Sequence, residues 1–189
     1  MFSRKALLIF PCVLILSACS TANKEAEQVE EPVDVLYRRA ALALDDQNYV
    51  EATRYFEEVE RQHPYSEWAT RAQLMAAYSS YEAQRYDEAV PALDRFIELH
   101  PGHKDVDYAY YLKALSYYEQ ISDVGRDQEL TKESLKALNT LVKRFPTSKY
   151  ARDAQLKMDL ALDHLAGKEM EVGRYYINRG HINAAINRF

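Results

Sequence analysis

The stretch LYRRAALALDDQNYVEATRYFEEVERQHP, Leu36 to Pro64, returns one step further along the chain. Ala40, Ala52 and Pro64 have counterparts at Ala77, Ala89 and Pro101, each 37 residues on. A fixed period of this size is the signature of a repeat array. Within the unit, Leu36, Ala40 and Ala43 form one apolar run at helical spacing, and Ala52, Tyr55, Phe56 and Val59 form a second. The pattern predicts two antiparallel helices, with a break at Gln47-Asn48 and a stop at His63-Pro64. The small residues Ala40 and Ala52 fall where paired helices must approach closely.

Counting Pro64 as position 32 of a tetratricopeptide repeat puts Leu36, Ala40, Ala52 and Phe56 at positions 4, 8, 20 and 24. The unit resembles that repeat, with three extra residues per period. The expected fold is therefore all-α: a tetratricopeptide-like solenoid of antiparallel helix pairs over residues 33–189. Repeat two starts near Glu67, with Ser66 as N-cap. Repeat three starts near Val106 and keeps the step, with Ala114 37 residues after Ala77. The next terminal proline is Pro146, 45 residues after Pro101, so eight residues are inserted between the helices of repeat three, around Ile121 to Leu130. Insertions in repeat arrays map to loops on one face. This one, with Asp123, Arg126 and Asp127, is either a partner loop or a tolerated surface loop.

After the turn Phe145-Pro146-Thr147-Ser148, a long helix is expected to about Ala166, then a break at Gly167. A second helix is expected from Lys168 to Arg179, and a last one from His181 to Phe189. Gly173, Tyr176, Ala185 and Phe189 also fit repeat positions 8, 11, 20 and 24, so two phases are open here. Either phase ends the chain inside a repeat without a polar capping helix. That suggests a truncated chain or a partner over the exposed end.

The first eighteen residues read as a leader. Arg4 and Lys5 precede the apolar run Ala6 to Leu16, which is eleven residues long and too short for a bilayer span. It ends in Leu16-Ser17-Ala18-Cys19, which resembles a bacterial lipobox. Residues 1–18 are thus a lipoprotein signal peptide, and Cys19 is the lipidation site. Residues 19–32 are the lipidated cysteine and a flexible acidic tether. Ser20, where a retention signal would place Asp, implies the outer membrane and its periplasmic face. Cys12 leaves with the leader and Cys19 is acylated, so no thiol remains for a disulfide, a zinc site or nucleophilic catalysis.

The chain of 189 residues is 48% hydrophobic and 28% charged, which suits a globular helical protein. Loss of Arg4 and Lys5 takes the net charge from −5 to −7, which excludes the basic face that nucleic acid requires. None of the five histidines sits in a catalytic or zinc-like constellation, and neither a phosphate-binding glycine loop nor a nucleophile elbow occurs. No cofactor is expected beyond the lipid on Cys19. The fifteen tyrosines carry the functional reading. Tyr65 and Trp68 flank the turn between repeats one and two. Tyr78, Tyr81, Tyr110 and Tyr111 fall on the first helices of their repeats, which line the concave face of such solenoids. Core packing accounts for any single tyrosine. As a set they suggest a peptide groove, with Arg38, Arg71 and Gln73 to bond the peptide backbone.

Several stretches together resemble one family. Asp94-Arg-Phe-Ile-Glu-Leu-His-Pro101 runs into Asp107-Tyr-Ala-Tyr-Tyr-Leu112. Arg126-Asp-Gln128, Arg144-Phe-Pro-Thr-Ser-Lys-Tyr-Ala151, Arg174-Tyr-Tyr-Ile-Asn-Arg-Gly180 and Ala184-Ala-Ile-Asn-Arg188 follow. With the lipobox, they are similar to the BamD (ComL) family of tetratricopeptide lipoproteins in the outer-membrane β-barrel assembly machinery. The resemblance implies an essential scaffold rather than an enzyme. The partners it implies are the POTRA domains of a BamA-type barrel subunit, other assembly lipoproteins and unfolded outer-membrane β-barrel clients. The alternatives are another periplasmic tetratricopeptide lipoprotein, such as a secretin pilotin or an envelope-division coordinator, and a peptidoglycan-processing enzyme carrying the solenoid as an accessory.

Overall fold

Each 37-residue unit folds as the apolar spacing predicts. The computed structural model describes residues 30–189. The leader, Cys19 and most of the tether lie outside the described residues. Eight helices follow in order: α1 (Val33–Asp45), α2 (Tyr49–Gln62), α3 (Glu67–Glu82), α4 (Tyr86–Leu99), α5 (Val106–Tyr118), α6 (Glu129–Arg144), α7 (Ala151–Asn178) and α8 (Ile182–Ile186). The expected cap forms, since Ser66 Oγ accepts the Ala69 backbone N–H at 3.1 Å.

Each helix packs on its sequence neighbours, and α1 also reaches α3 as α3 reaches α5. The core accordingly falls into a series of small clusters. Leu36, Ala40, Ala52, Phe56 and Val59 of the first pair close over Ala72 and Ala76 of α3. Leu74, Ala77, Leu93 and Phe96 of the second pair close over Ala109 and Leu112 of α5. Ala114, Leu138 and Leu141 of the third pair close over Ala154 of α7. Every cluster thus takes one pair and the first helix of the next, as a solenoid requires. Phe56 and Phe96 are 1% and 0% exposed and anchor the first two clusters.

The turns inside the pairs repeat too. Gln47 and Gln84 both adopt the left-handed conformation at φ 59°. The next N–H then reaches back five residues, Asn48 to Ala43 O at 2.8 Å and Arg85 to Ser80 O at 2.9 Å. Gly180, at φ 75°, does the same in the α7–α8 turn, where His181 N–H reaches Tyr176 O at 2.9 Å. Gly173, Gly180, Ala185 and Phe189 thereby stand in the register of Ala40, Gln47, Ala52 and Phe56. Gly173 and Ala185 are both buried. Of the two phases open in the sequence, this is the one the last pair adopts.

Three expectations need correction. Gly167 does not break the helix; α7 runs unbroken for 28 residues. A glycine costs a helix about 1 kcal/mol but does not end it. A Cβ at Gly167 would meet Val124 Cγ1 of the insert loop at 3.4 Å, so the bare backbone admits that loop. The last helix is also shorter than expected, Ile182–Ile186 rather than His181 to Phe189. The folded part begins before Val33, because the Glu31 N–H donates to Gln62 Oε1 at 3.0 Å and its carbonyl pairs with His63 Nε2 at 2.7 Å.

Candidate functional site: a tyrosine face on the first helices

In register, α5 and α7 follow α3, and their tyrosines meet. Tyr78 of α3 lies 6.5 Å from Tyr108 of α5, ring centre to ring centre. Tyr108 lies 5.3 Å from Tyr150, which opens α7. Tyr111, one turn along α5, stacks on Tyr150 at 4.8 Å with the planes 15° apart. Tyr81 packs edge-on to Tyr86, the first residue of α4, at 5.6 Å. None of these rings is fully buried, so the row presents flat apolar surface with hydroxyls along it.

The hydroxyls hold their protons firmly. Burial pushes Tyr108 and Tyr111 well above the ordinary tyrosine range, and the ionised Asp153 next to Tyr111 pushes that group further. Burial, with the charge of Glu119, pushes Tyr81 up to about 12. The Tyr111 hydroxyl donates to Asp153, and this bond, with Lys157 Nζ at 2.9 Å from the same carboxylate, holds Asp153 below the usual carboxylate range. The row therefore presents neutral phenols rather than phenolates, with the Tyr111 proton already committed to Asp153. At Tyr150 it opens into a cavity of about 510 Å³ between two inter-repeat turns. Lys104, Asp107, Ser148 and Lys149 line that cavity, and Ser148 Oγ donates to Asp107 at 2.6 Å.

The residues singled out in the sequence do not all come together. Tyr78, Tyr81 and Tyr111 lie on this face. Tyr110 does not: its ring packs 5.4 Å from Phe145 and its hydroxyl accepts from Arg144 Nη1 at 2.7 Å, over the α5–α6 seam. Trp68 packs 4.7 Å from Tyr37, in the seam of α1 and α3, with the Arg71 guanidinium 5.8 Å from its ring centre. Tyr65 stands fully exposed in the α2–α3 turn. Arg38 is exposed and pairs with Asp34 at 3.5 Å. Gln73 is committed to neighbours: its amide donates to Glu60 Oε1 at 2.8 Å and its oxygen pairs with His100 Nε2 at 2.8 Å.

The insert loop is held from beneath. Gln128 is buried and donates to Val124 O and Arg126 O, both at 3.1 Å. Its oxygen takes His164 Nδ1 at 3.0 Å and the Thr131 hydroxyl at 3.2 Å. Lys168 of α7 donates to Gly125 O at 2.6 Å. Asp123, Arg126 and Asp127 remain exposed on this fixed loop. Sequence reasoning passed over Tyr108, Tyr150, Tyr86 and Asp153 as site residues. Tyr108 and Tyr111 share one stripe of α5, and that spacing was the available signal.

Among the described residues, no group of three metal-ligating side chains converges, and no helix is long and apolar enough to cross a membrane. The profile of the YfiO family, described as outer membrane lipoprotein, matches residues 29–189. Relatives named outer membrane protein assembly factor BamD share 47% identity in Caulobacter vibrioides and 46% in Rickettsia prowazekii, over 98% and 93% of this chain. A third, in Neisseria gonorrhoeae, shares 38% over 98% of the chain. The chain spans 62%, 70% and 74% of the lengths of these three relatives. A solved chain of MamA from Desulfovibrio magneticus RS-1 superposes with a TM-score of 0.48 at 16% identity, over 84% of this chain and 72% of its own.

Proposed function

Because the chain belongs to the YfiO family of outer membrane lipoproteins, known in its relatives as BamD, we propose that it is a scaffold for outer-membrane β-barrel assembly. It works by binding alone, holding unfolded barrel proteins and assembly partners at the periplasmic face of the outer membrane. A lipid on Cys19 anchors it there, an assignment supported by Leu16-Ser-Ala-Cys19. The POTRA domains of a BamA-type subunit and other assembly lipoproteins are the proposed partners, and the exposed residues of the insert loop are one surface for them. The relatives' names point to barrel assembly and away from a pilotin or a division coordinator.

The observation that carries the client-binding part is the row of half-buried rings from Tyr78 to Tyr150. Barrel strands alternate apolar and polar residues, with aromatic residues concentrated at the two membrane interfaces. The rings offer stacking surface to the first kind, and the hydroxyls of Tyr78, Tyr81 and Tyr108 offer donors to backbone carbonyls. The test is photocrosslinking in cells that synthesise a labelled barrel protein, with a benzophenone amino acid at Tyr81, Tyr111 or Tyr65. Client adducts are expected at 81 and 111 and not at 65. Adducts at 65 alone, or at none of the three, would overturn the assignment of this face.

A further inference from the structure

The N-terminal end of the solenoid is pinned at one edge. The Glu31 N–H donates to Gln62 Oε1 at 3.0 Å, its carbonyl pairs with His63 Nε2 at 2.7 Å, and its carboxylate takes Arg39 Nη2 at 2.7 Å. Gln62 and His63 end α2, so the pin lies on the edge formed by the turns between repeats, at 63–66, 100–105 and 145–150. Twelve residues lead from Cys19 to Glu31, at most about 43 Å of chain. Helices α1 and α2 are about 20 Å long. Bringing the opposite edge to a lipid on Cys19 would use about half of that reach in running back along them.

The side chains of the pinned edge suit a bilayer surface. Tyr65 stands fully exposed beside the pin, and Leu99, 59% exposed, closes α4 before the next turn. Tyrosine is favoured at a membrane–water interface, where its ring and hydroxyl each meet a suitable medium. Lys104, Lys143, Lys149 and Arg152 are exposed around the second and third turns. Among the described residues, none of these four is in an ion pair. Lys104 and Lys149 line the same cavity between those two turns. The acids flanking the turns without a Lys or Arg partner are Glu67, Glu98, Asp105 and Asp107, equal in number to these cations. The chain as a whole has a net charge of −5. Its deficit of cations shows on the opposite edge, where Asp45, Asp46, Glu119, Asp123 and Asp127 are exposed against Arg126. That edge repels an anionic surface, while the pinned edge meets it with long cationic side chains.

We propose that the edge of inter-repeat turns rests on the bilayer surface, with Tyr65 at headgroup level and Lys104 and Lys149 against anionic lipid phosphates. Tether length, the place where the tether is pinned, and the division of charge between the two edges all favour the same side. The tyrosine row runs into this edge at Tyr150, so docking brings the end of the row to the headgroups. The inference rests on the lipid proposed above for Cys19.

The test uses the full chain, expressed with its leader, purified in detergent and reconstituted into vesicles of phosphatidylethanolamine and phosphatidylglycerol. With Cys12 removed and Cys19 acylated, a single introduced cysteine is the one site for a fluorophore. Tyr65→Cys and Thr147→Cys report on the turn edge, and Asp46→Cys and Asp123→Cys on the opposite one. A nitroxide on the lipid headgroup quenches only nearby fluorophores. With the edges about 20 Å apart, quenching at 65 and 147 is expected to exceed that at 46 and 123 by about threefold or more. In a Lys104→Gln/Lys149→Gln chain this ratio should fall by about twofold or more, and raising salt to about 0.5 M should lower it likewise in the native chain. Intact mass reports the lipid on Cys19 independently. A lipidated chain quenched equally at both edges, or more at 46 and 123, overturns the proposal and leaves the anchor standing. A ratio that neither the lysine change nor salt alters overturns it too. An unlipidated chain overturns the anchor and this inference with it.

Discussion

Ser134 offers the sharpest test of how the repeats pack. It stands 45 residues after Ala89 and so occupies, in repeat three, the small position held by Ala52 and Ala89. All three are fully buried. Ser134 Oγ is a buried side-chain polar atom with no hydrogen-bond partner. Leaving a buried hydroxyl unpaired costs about 1–3 kcal/mol. Alanine is also the better helix former, by about 0.5 kcal/mol. Against this, removing one oxygen leaves a void of roughly 10 Å³, worth about 0.2 kcal/mol at ~24 cal/mol per Å³. Ser134→Ala is therefore expected to stabilise the chain by about 1 kcal/mol or more, raising the melting temperature by about 2–4 °C per kcal/mol at this chain length. The reverse changes, Ala52→Ser and Ala89→Ser, should lose a similar amount. Urea titration of the four proteins measures this directly. If Ser134→Ala loses 1 kcal/mol while the two serine variants lose nothing, the shared packing role assigned to this position is wrong.

Three further outcomes follow from the same geometry. Phe56→Ala and Phe96→Ala each empty the centre of one cluster and should cost about 3–5 kcal/mol by denaturant titration; a loss under 1 kcal/mol would contradict their placement. Gln128→Ala removes the group that ties the insert loop to α6 and α7, so amide exchange at Val124 to Asp127 should accelerate while α1 to α4 exchange as before. Burial, with His103 nearby, holds His100 below its ordinary pKa, so the folded state resists protonation there more than the unfolded chain does. That contribution to stability is present above about pH 6.5 and fades as pH falls through the lowered value, a dependence that His100→Gln should flatten in melts at pH 5 to 7.5.

The pairs were legible because their signal is local. Small residues at Ala40, Ala52, Ala77 and Ala89, prolines after each second helix, and the Ser66 cap all report on a few neighbouring residues. The insert was bracketed by the same counting. What lay beyond reach depended on partners far along the chain. Gly167 reads as a stop until Val124, 43 residues earlier, is seen against it. Gln73 reads as a free amide until Glu60 and His100 claim it from 13 and 27 residues away. Tyr110 and Tyr111 are adjacent in sequence but about 100° apart around the helix, so they serve different seams. Tyr110 and Tyr117 both line the α6 side, whereas Tyr111 reaches Asp153 of α7 and Lys157 of the same helix lies over Tyr118.

The unbroken α7 has a mechanical consequence. Twenty-eight residues at 1.5 Å make a rod of about 42 Å. Its first half is clamped by Ala151, Ala154 and Ala161, while its far end carries Gly173 and the short α8. A tilt of about 5° at Ala161 swings the far end, about 26 Å further on, by about 2 Å. The insert loop grips the rod near its middle through Lys168 and His164, as a hand holds a lever. Whatever seats on the loop thereby acquires leverage over the last helix pair.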